Sequence, residues 1–136
     1  MKYTEYIQNT INQALFNQTG EHNNNLVYDI IIPVFDGLTE LVICINSLLR
    51  FTNFKHNIYL YNDASVDLQV VIYLDDLANK YQHISVIHQS INKGYLRNIN
   101  QALLATKNDV IVLNADTQVT NNWLDEMTLV AQSPRV

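Results

Sequence analysis

The sequence predicts an α/β domain: a mostly parallel sheet with helices on both faces. Three observations lead there. Short runs rich in Val, Ile, Leu and Tyr alternate with helical apolar patterns four times, the arrangement that buries parallel strands between helix layers. Polar, acid-bearing loops follow the strands, where open parallel sheets hold their ligands. The chain has 136 residues, enough for one domain with a core of its own.

From about Tyr3 to Asn17, Tyr3, Ile7, Ile11, Ala14 and Leu15 share one helical face, and Gly20 suits the helix stop. The polar stretch Glu21-His22-Asn23-Asn24-Asn25 reads as a linker. The expected organisation is a leading amphipathic helix over 1–20, a linker over 21–26 and a main domain over 27–136. A short helix is marginal alone in water, so this one packs on the main domain or joins a partner chain, for instance in a homo-oligomer.

Strand one is expected over Val27–Ile32 and should stop at Pro33, which cannot continue a central ladder. A helix follows from Leu38 to Phe51, with Leu38, Leu41, Val42, Ile45, Leu48 and Leu49 inward. Strand two is Ile58–Tyr61. The next helix spans about Asp67 to Tyr81 with Leu68, Val71, Leu74 and Leu77 inward. Strand three is Ile84–His88, a helix runs from Tyr95 to Ala105, and strand four is Val110–Leu113. A last helix opens near Asn121, which can cap it, and carries Trp123, Leu124, Met127 and Val130.

Composition narrows the function. The net charge of −5 argues against a nucleic-acid partner. No apolar run approaches the roughly 18–20 residues needed to span a bilayer, and the polar start is unlike a secretion signal. One cysteine, Cys44, excludes an internal disulfide and a multi-cysteine zinc site; it reads as a small core residue. Together these features point to the cytoplasm. With only Gly20, Gly37 and Gly94, the chain has neither a Walker-type phosphate loop nor a G-x-G-x-x-G fingerprint.

The chemistry sits in the loops. In Pro33-Val34-Phe35-Asp36-Gly37, Phe35 either stacks on a flat base, with neighbouring backbone groups on the base edge, or folds back on the core. In Asn62-Asp63-Ala64-Ser65-Val66-Asp67, Asp63 offers acceptors that match the imide N–H of uracil, while Ser65 or Asp67 caps the next helix. In Asn114-Ala115-Asp116-Thr117, Asp116 follows strand four, where a bridging Mg²⁺ or Mn²⁺ lets a carboxylate sit beside a diphosphate; a plain Asx turn is the alternative. Gly94 permits close backbone approach, and Lys93 or Arg97 can meet a phosphate near the helix start. Asp75-Asp76 reads as a solvated face. His83 and His88 flank a strand without ligand spacing for zinc.

Four stretches, in order, resemble the inverting family 2 glycosyltransferases of GT-A, Rossmann-like fold: DIIIPVFDGLTELVICINSLLRFT, IYLYNDASVD, VIHQSINKGYLRNINQAL and DVIVLNADTQVTNNWLDEM. The resemblance covers about Tyr28 to Val136. It implies a nucleotide-sugar donor, most often a UDP-sugar, a divalent metal, and a glycan or lipid-linked acceptor. Phe35 then stands near the base beside Pro33 and Val34, Asp63 at the uracil-bonding acid, and Asp116 at the metal-binding last acid of a D-x-D-like motif with Ala115 at its centre. Asn92, Gly94 and Asn100 match an N-x-G loop that contacts the donor. Two positions depart from the family: Asn114 replaces the first acid, and Ile99 stands where many members have Arg, so that Arg97 substitutes or the contact is lost. The family's catalytic base has no counterpart before Val136. The expectation is therefore a truncated GT-A domain that binds donor and transfers little, since inverting transfer needs a base to deprotonate the acceptor. A non-catalytic nucleotide-binding or assembly module is the other reading. A nucleotidyltransferase ranks last, because the first loop lacks a glycine-rich basic segment.

Overall fold

A computed structural model describes residues 26–132; the expected leading helix, and the linker up to residue 25, lie outside the described residues. The elements are β1 (Tyr28–Val34), α1 (Leu38–Phe51), β2 (Asn57–Asn62), α2 (Leu68–Lys80), β3 (Ile84–His88), α3 (Tyr95–Ala105), β4 (Asp109–Val112) and α4 (Trp123–Ala131). The strands form one sheet in the order β3-β2-β1-β4, and every pair is parallel.

β1 is central because its side chains are apolar toward both faces. Ile30, Ile31 and Ile32 are all 0% exposed. Alternate residues of a strand face opposite ways. Ile30, Ile32 and Val34 join Ile58 and Leu60 beneath Leu41, Cys44, Ile45 and Leu48 of α1, Val70, Leu74 and Leu77 of α2, and Trp123 and Leu124 of α4. Ile31 and Tyr61 turn the other way and meet Ala102 of α3, with Tyr59, Ile87 and Val110 around them. Helices thus cover both faces, as expected. The buried Asp29 carboxylate accepts from Asn57 Nδ2 and Asn108 Nδ2, each at 3.0 Å, and so ties the amino ends of β2 and β4 to β1.

Pro33 does not end β1: the strand continues to Val34, with Pro33 level with Tyr61 of β2. The reason lies in which way its nitrogen points. Leu113 donates its N–H to Ile31 C=O at 2.9 Å, so residues of Ile31 parity face β4, and the next rung would need an N–H from residue 33. Proline has none. The β1–β4 ladder accordingly ends with Ile31 level with Val112, while Asp63 N–H still reaches Val34 C=O at 2.8 Å on the β2 side.

Three helix details differ from the pattern. In α2 the inward residues are Val70, Leu74 and Leu77; Leu68 lies on the first turn and is 73% exposed, and Val71 is half-buried. In α4 the buried residues are Trp123, Leu124 and Thr128, leaving Met127 and Val130 exposed. The shift follows two hydroxyl bonds: Thr128 Oγ1 lies 2.8 Å from Tyr28 Oη, and Trp123 Nε1 donates to Thr52 Oγ1 at 3.0 Å. Asn122, not Asn121, occupies the N-cap of α4, in left-handed conformation with no side-chain cap bond.

From β1 the chain steps outward through β2 to β3, then returns to the far side of β1 for β4. That reversal makes the carboxyl ends of β1 and β4 a topological switch point, the place where such sheets bind ligands.

Candidate functional site

Four loops meet at the carboxyl rim of the sheet, and hydrogen bonds chain them together. The loop after β1 carries Phe35, which is 53% exposed and so does not fold back on the core. Asp36 and Gly37 both take positive φ, 49° and 72°, which turns the chain sharply into α1. Asp36 N–H donates to Ser65 Oγ at 2.9 Å, and Asp67 N–H donates to Asp36 Oδ1 at 2.9 Å. The first and second loops are therefore fastened in both directions.

Asp63 is buried at 5% exposure. Its Oδ1 accepts Lys93 N–H at 2.7 Å and its Oδ2 accepts Gly94 N–H at 2.9 Å. These are charge-assisted bonds. Each carboxylate oxygen has two acceptor sites, so accepting one N–H leaves capacity for a further donor. Asn92 completes the fastening: Nδ2 donates to Asp63 C=O at 3.1 Å, and Oδ1 accepts Gly94 N–H at 3.1 Å. Gly94, at φ 83° and ψ 160°, is the N-cap of α3; a side chain would be strained there. Lys93 Nζ turns to Gln101 Oε1 at 2.6 Å. Arg97 and Asn100 are exposed on α3.

Beside Gly94, Tyr95 donates its hydroxyl to Asn114 Oδ1 at 3.0 Å. The amide at the first position of the acid motif is thus held by the helix that begins at the N-x-G loop. Asp116 lies two residues on, exposed. The segment carrying it is anchored on α1: Cys44 Sγ–H points at Asn114 C=O at 3.9 Å, and Val119 N–H donates to Ser47 Oγ at 3.1 Å. Burial pushes the Cys44 thiol up to about 11, and the negative charge of Asp116 adds to that rise. Asp63 and Asp116 accordingly occupy one rim, on either side of the β1 end, joined through Gly94, Tyr95 and Asn114.

Among the described residues, no group of three or more His, Cys, Asp or Glu side chains could enclose a metal. One exposed carboxylate fits a different kind of site. A hard cation that keeps several waters is held by one or two carboxylates plus substrate phosphates, and Asp116 offers that single oxygen donor at the switch point.

A family model, Glycosyl transferase family 2, matches residues 29–136. The chain belongs to glycosyl transferase family 2. No curated protein matches it in sequence. Among solved structures, the S. aureus TarS fragment 1–349 in complex with UDP-GlcNAc is similar to this family 2 chain, with 18% identity and a TM-score of 0.67 over 76% of this chain and 30% of that one. GalNAc-T7 with UDP, GalNAc and Mn²⁺ aligns with 21% identity and a TM-score of 0.64, covering 72% of this chain and 19% of that chain. A mannosyltransferase from Pyrobaculum calidifontis, in complex with GDP-Man and Mn²⁺, aligns with 11% identity and a TM-score of 0.70 over 98% of this chain and 44% of that one. At these identities the likeness establishes the GT-A fold. The family 2 chain spans about a third of the TarS fragment's length. Among the described residues no helix is long and apolar enough to cross a membrane.

Several site residues carry little signal in sequence. Asn62, Ser65, Tyr95 and Asn98 hold the loops but resemble ordinary polar surface residues. Asn98 is buried and donates to Tyr61 C=O at 2.9 Å. Its signal was a polar residue beside Ile99 on the apolar stripe of α3.

Proposed function

We propose that this domain is the donor-binding part of a glycosyltransferase that binds a UDP-sugar with Mg²⁺ or Mn²⁺ and serves transfer to a glycan or lipid-linked acceptor. One observation carries the reading: the acid loop of Asp116, the Asp63 loop, the N-x-G loop and the Phe35 loop are fastened to one another around the switch point. Phe35, exposed beside Pro33 and Val34, stacks on the base. The remaining acceptor capacity of Asp63 reads the imide N–H. Asn92 and Gly94 hold the α3 start close to the donor, and Arg97 and Asn100 lie on the same helix to meet it. Asp116 would hold the metal next to Ala115. Such a cation neutralises diphosphate charge and stabilises its departure as a Lewis acid. Solved relatives with bound nucleotide-sugar or Mn²⁺ support this reading. The free buried thiol of Cys44 suits a reducing cytoplasm, where we place the reaction in polysaccharide biosynthesis.

The test is calorimetric titration of UDP with Mn²⁺ and with chelator. The expected result is binding that needs the metal and is lost in Asp116→Ala. Equal binding with chelator, or an unaffected Asp116→Ala, removes the metal role from Asp116. A preference for GDP over UDP removes the pyrimidine assignment.

A further inference from the structure

The opposite end of the sheet carries a cleft that the rim chemistry does not use. It encloses about 430 Å³ and is lined by Phe54, Asn57, Lys80, Tyr81, Gln82 and His83. Asn57 opens β2 and His83 directly precedes β3, so the cleft lies at the amino ends of these parallel strands. The six residues of β2 separate it from the Asp63 loop by roughly 17 Å of extended chain.

Three rings build its wall. Phe54 and His83 stack with centroids 4.3 Å apart and planes at 19°. Tyr81 stands edge-on to both, at 84° and 86°. The backbone holds them in place before any ligand arrives. Tyr81 N–H donates to Leu77 C=O at 2.9 Å, Ile84 N–H to Tyr81 C=O at 3.1 Å, and Ile58 N–H to His83 C=O at 2.9 Å. The turn carrying Phe54 is fastened by His56 N–H on Asn53 C=O at 3.2 Å and Lys55 N–H on Asn53 Oδ1 at 2.8 Å. Phe54 nonetheless keeps 51% of its surface exposed.

The lining selects a class of ligand. Phe54 and His83 are closed against each other, so a flat base cannot enter between them, and only their outer surfaces are open. No carboxylate is among the lining residues, and Lys80 is the one fixed cation. Lys80 ends α2, where the partial negative charge of the helix end opposes an anion. Burial holds His83 below the usual imidazole range, so its ring is uncharged at neutral pH. Asn57 and Gln82 each carry a donor and an acceptor on one side chain. Aromatic surface beside paired donors and acceptors, with little net charge, matches a neutral molecule that has C–H faces and hydroxyl edges.

We propose that this cleft is a second, non-catalytic glycan site, which holds a neutral stretch of sugar chain away from the donor rim. The choice of a sugar chain among neutral polyhydroxyl ligands rests on reading the rim as a sugar-transferring site. The cleft itself stands on its own geometry.

Nuclear magnetic resonance titration of the whole chain with chito-, cello- and manno-oligosaccharides tests the site. At least one of the three should shift the Tyr81 and His83 signals and the side-chain amides of Asn57 and Gln82, and the shifts should saturate. Affinity should fall about tenfold in Phe54→Ala, which removes one stacking surface. Gln82→Ala keeps all three rings and should weaken binding about threefold through one lost hydrogen bond. Both side chains are exposed, and titration of UDP with Mn²⁺ should be unaltered in either variant. No cleft shifts with any of the three sugars, shifts confined to the rim, or affinity unaltered in both variants overturns the site. A proline-rich peptide that moves the same signals, where no oligosaccharide does, gives the cleft to a protein partner and overturns the glycan assignment. If UDP fails to bind, the donor reading falls, while the oligosaccharide titration still decides the cleft.

Discussion

Gly94 donates its backbone N–H to Oδ2 of Asp63 at 2.9 Å, across 31 residues of chain. With Lys93 N–H on the other oxygen, Asp63 becomes the post to which the N-x-G loop is tied. An acid chosen only to read a base would not need such partners.

Asp63→Ala should therefore cost stability as well as ligand affinity. Two charge-assisted bonds are lost and Lys93 N–H is left without an acceptor, while Gly94 N–H keeps only Asn92 Oδ1, so urea denaturation should register a loss of about 2–4 kcal/mol. An unchanged midpoint would mean that the carboxylate holds nothing in the folded chain.

Asn114→Asp should strengthen metal-dependent UDP binding. A carboxylate can still accept the Tyr95 hydroxyl proton that Asn114 Oδ1 now accepts at 3.0 Å. It also adds a second hard oxygen beside Asp116, and affinity for such ions rises with the number of charged ligands. Calorimetry with Mn²⁺ should show a gain of about three- to tenfold; weaker binding would argue that Asn114 serves through its NH₂.

Acid should weaken the fold through His56. Burial, and then the charge of Lys55, lowers this imidazole from 6.5 to about 4. Its Nδ1 accepts Tyr28 N–H at 3.0 Å, which requires the bare nitrogen. Above pH 6.5 neither the folded nor the unfolded chain carries the proton. As pH falls from 6.5 toward 4, the unfolded chain takes it up and the folded chain does not. Stability should be intact above 6.5 and drop by up to about 3 kcal/mol toward 4. Burial lowers His83 too, with the same sign. Denaturation midpoints across this range should slope less in His56→Asn, which offers an acceptor oxygen without titrating.

Ala64→Gly should stabilise the chain. Ala64 takes φ 58°, a left-handed conformation that costs alanine roughly 1 kcal/mol over glycine. Thermal unfolding should shift upward by a few degrees, corresponding to about 0.5–1 kcal/mol. A downward shift would show that the alanine methyl is needed where it sits.

Much of this architecture is legible in the chain. Ile30 to Ile32 announce a strand buried on both faces, and the α1 and α3 spans follow from their apolar spacing. The loop acids are legible because Asp63 and Asp116 stand just beyond apolar runs. What sequence could not reveal is pairing across distance. Asp75 reads as solvated and His88 as a stray ring, and only the α2–β3 packing makes them partners. The register of α2 misled for a similar reason: Leu68 fits the helical stripe, but it falls on the first turn, above the rim, where no sheet lies beneath it. Likewise Asn122 rather than Asn121 starts α4, in a left-handed conformation without a side-chain cap bond, so the capping preference that singled out Asn121 has no part in it.

The imino acid at position 33 has an effect out of proportion to its size. By withholding a single hydrogen it ends the pairing of β1 with β4 at Ile31 and Val112, just before the loops that carry Phe35 and Asp116. The length of that seam is thus written into the main chain at one residue, where an ordinary amino acid would offer the donor for one more rung.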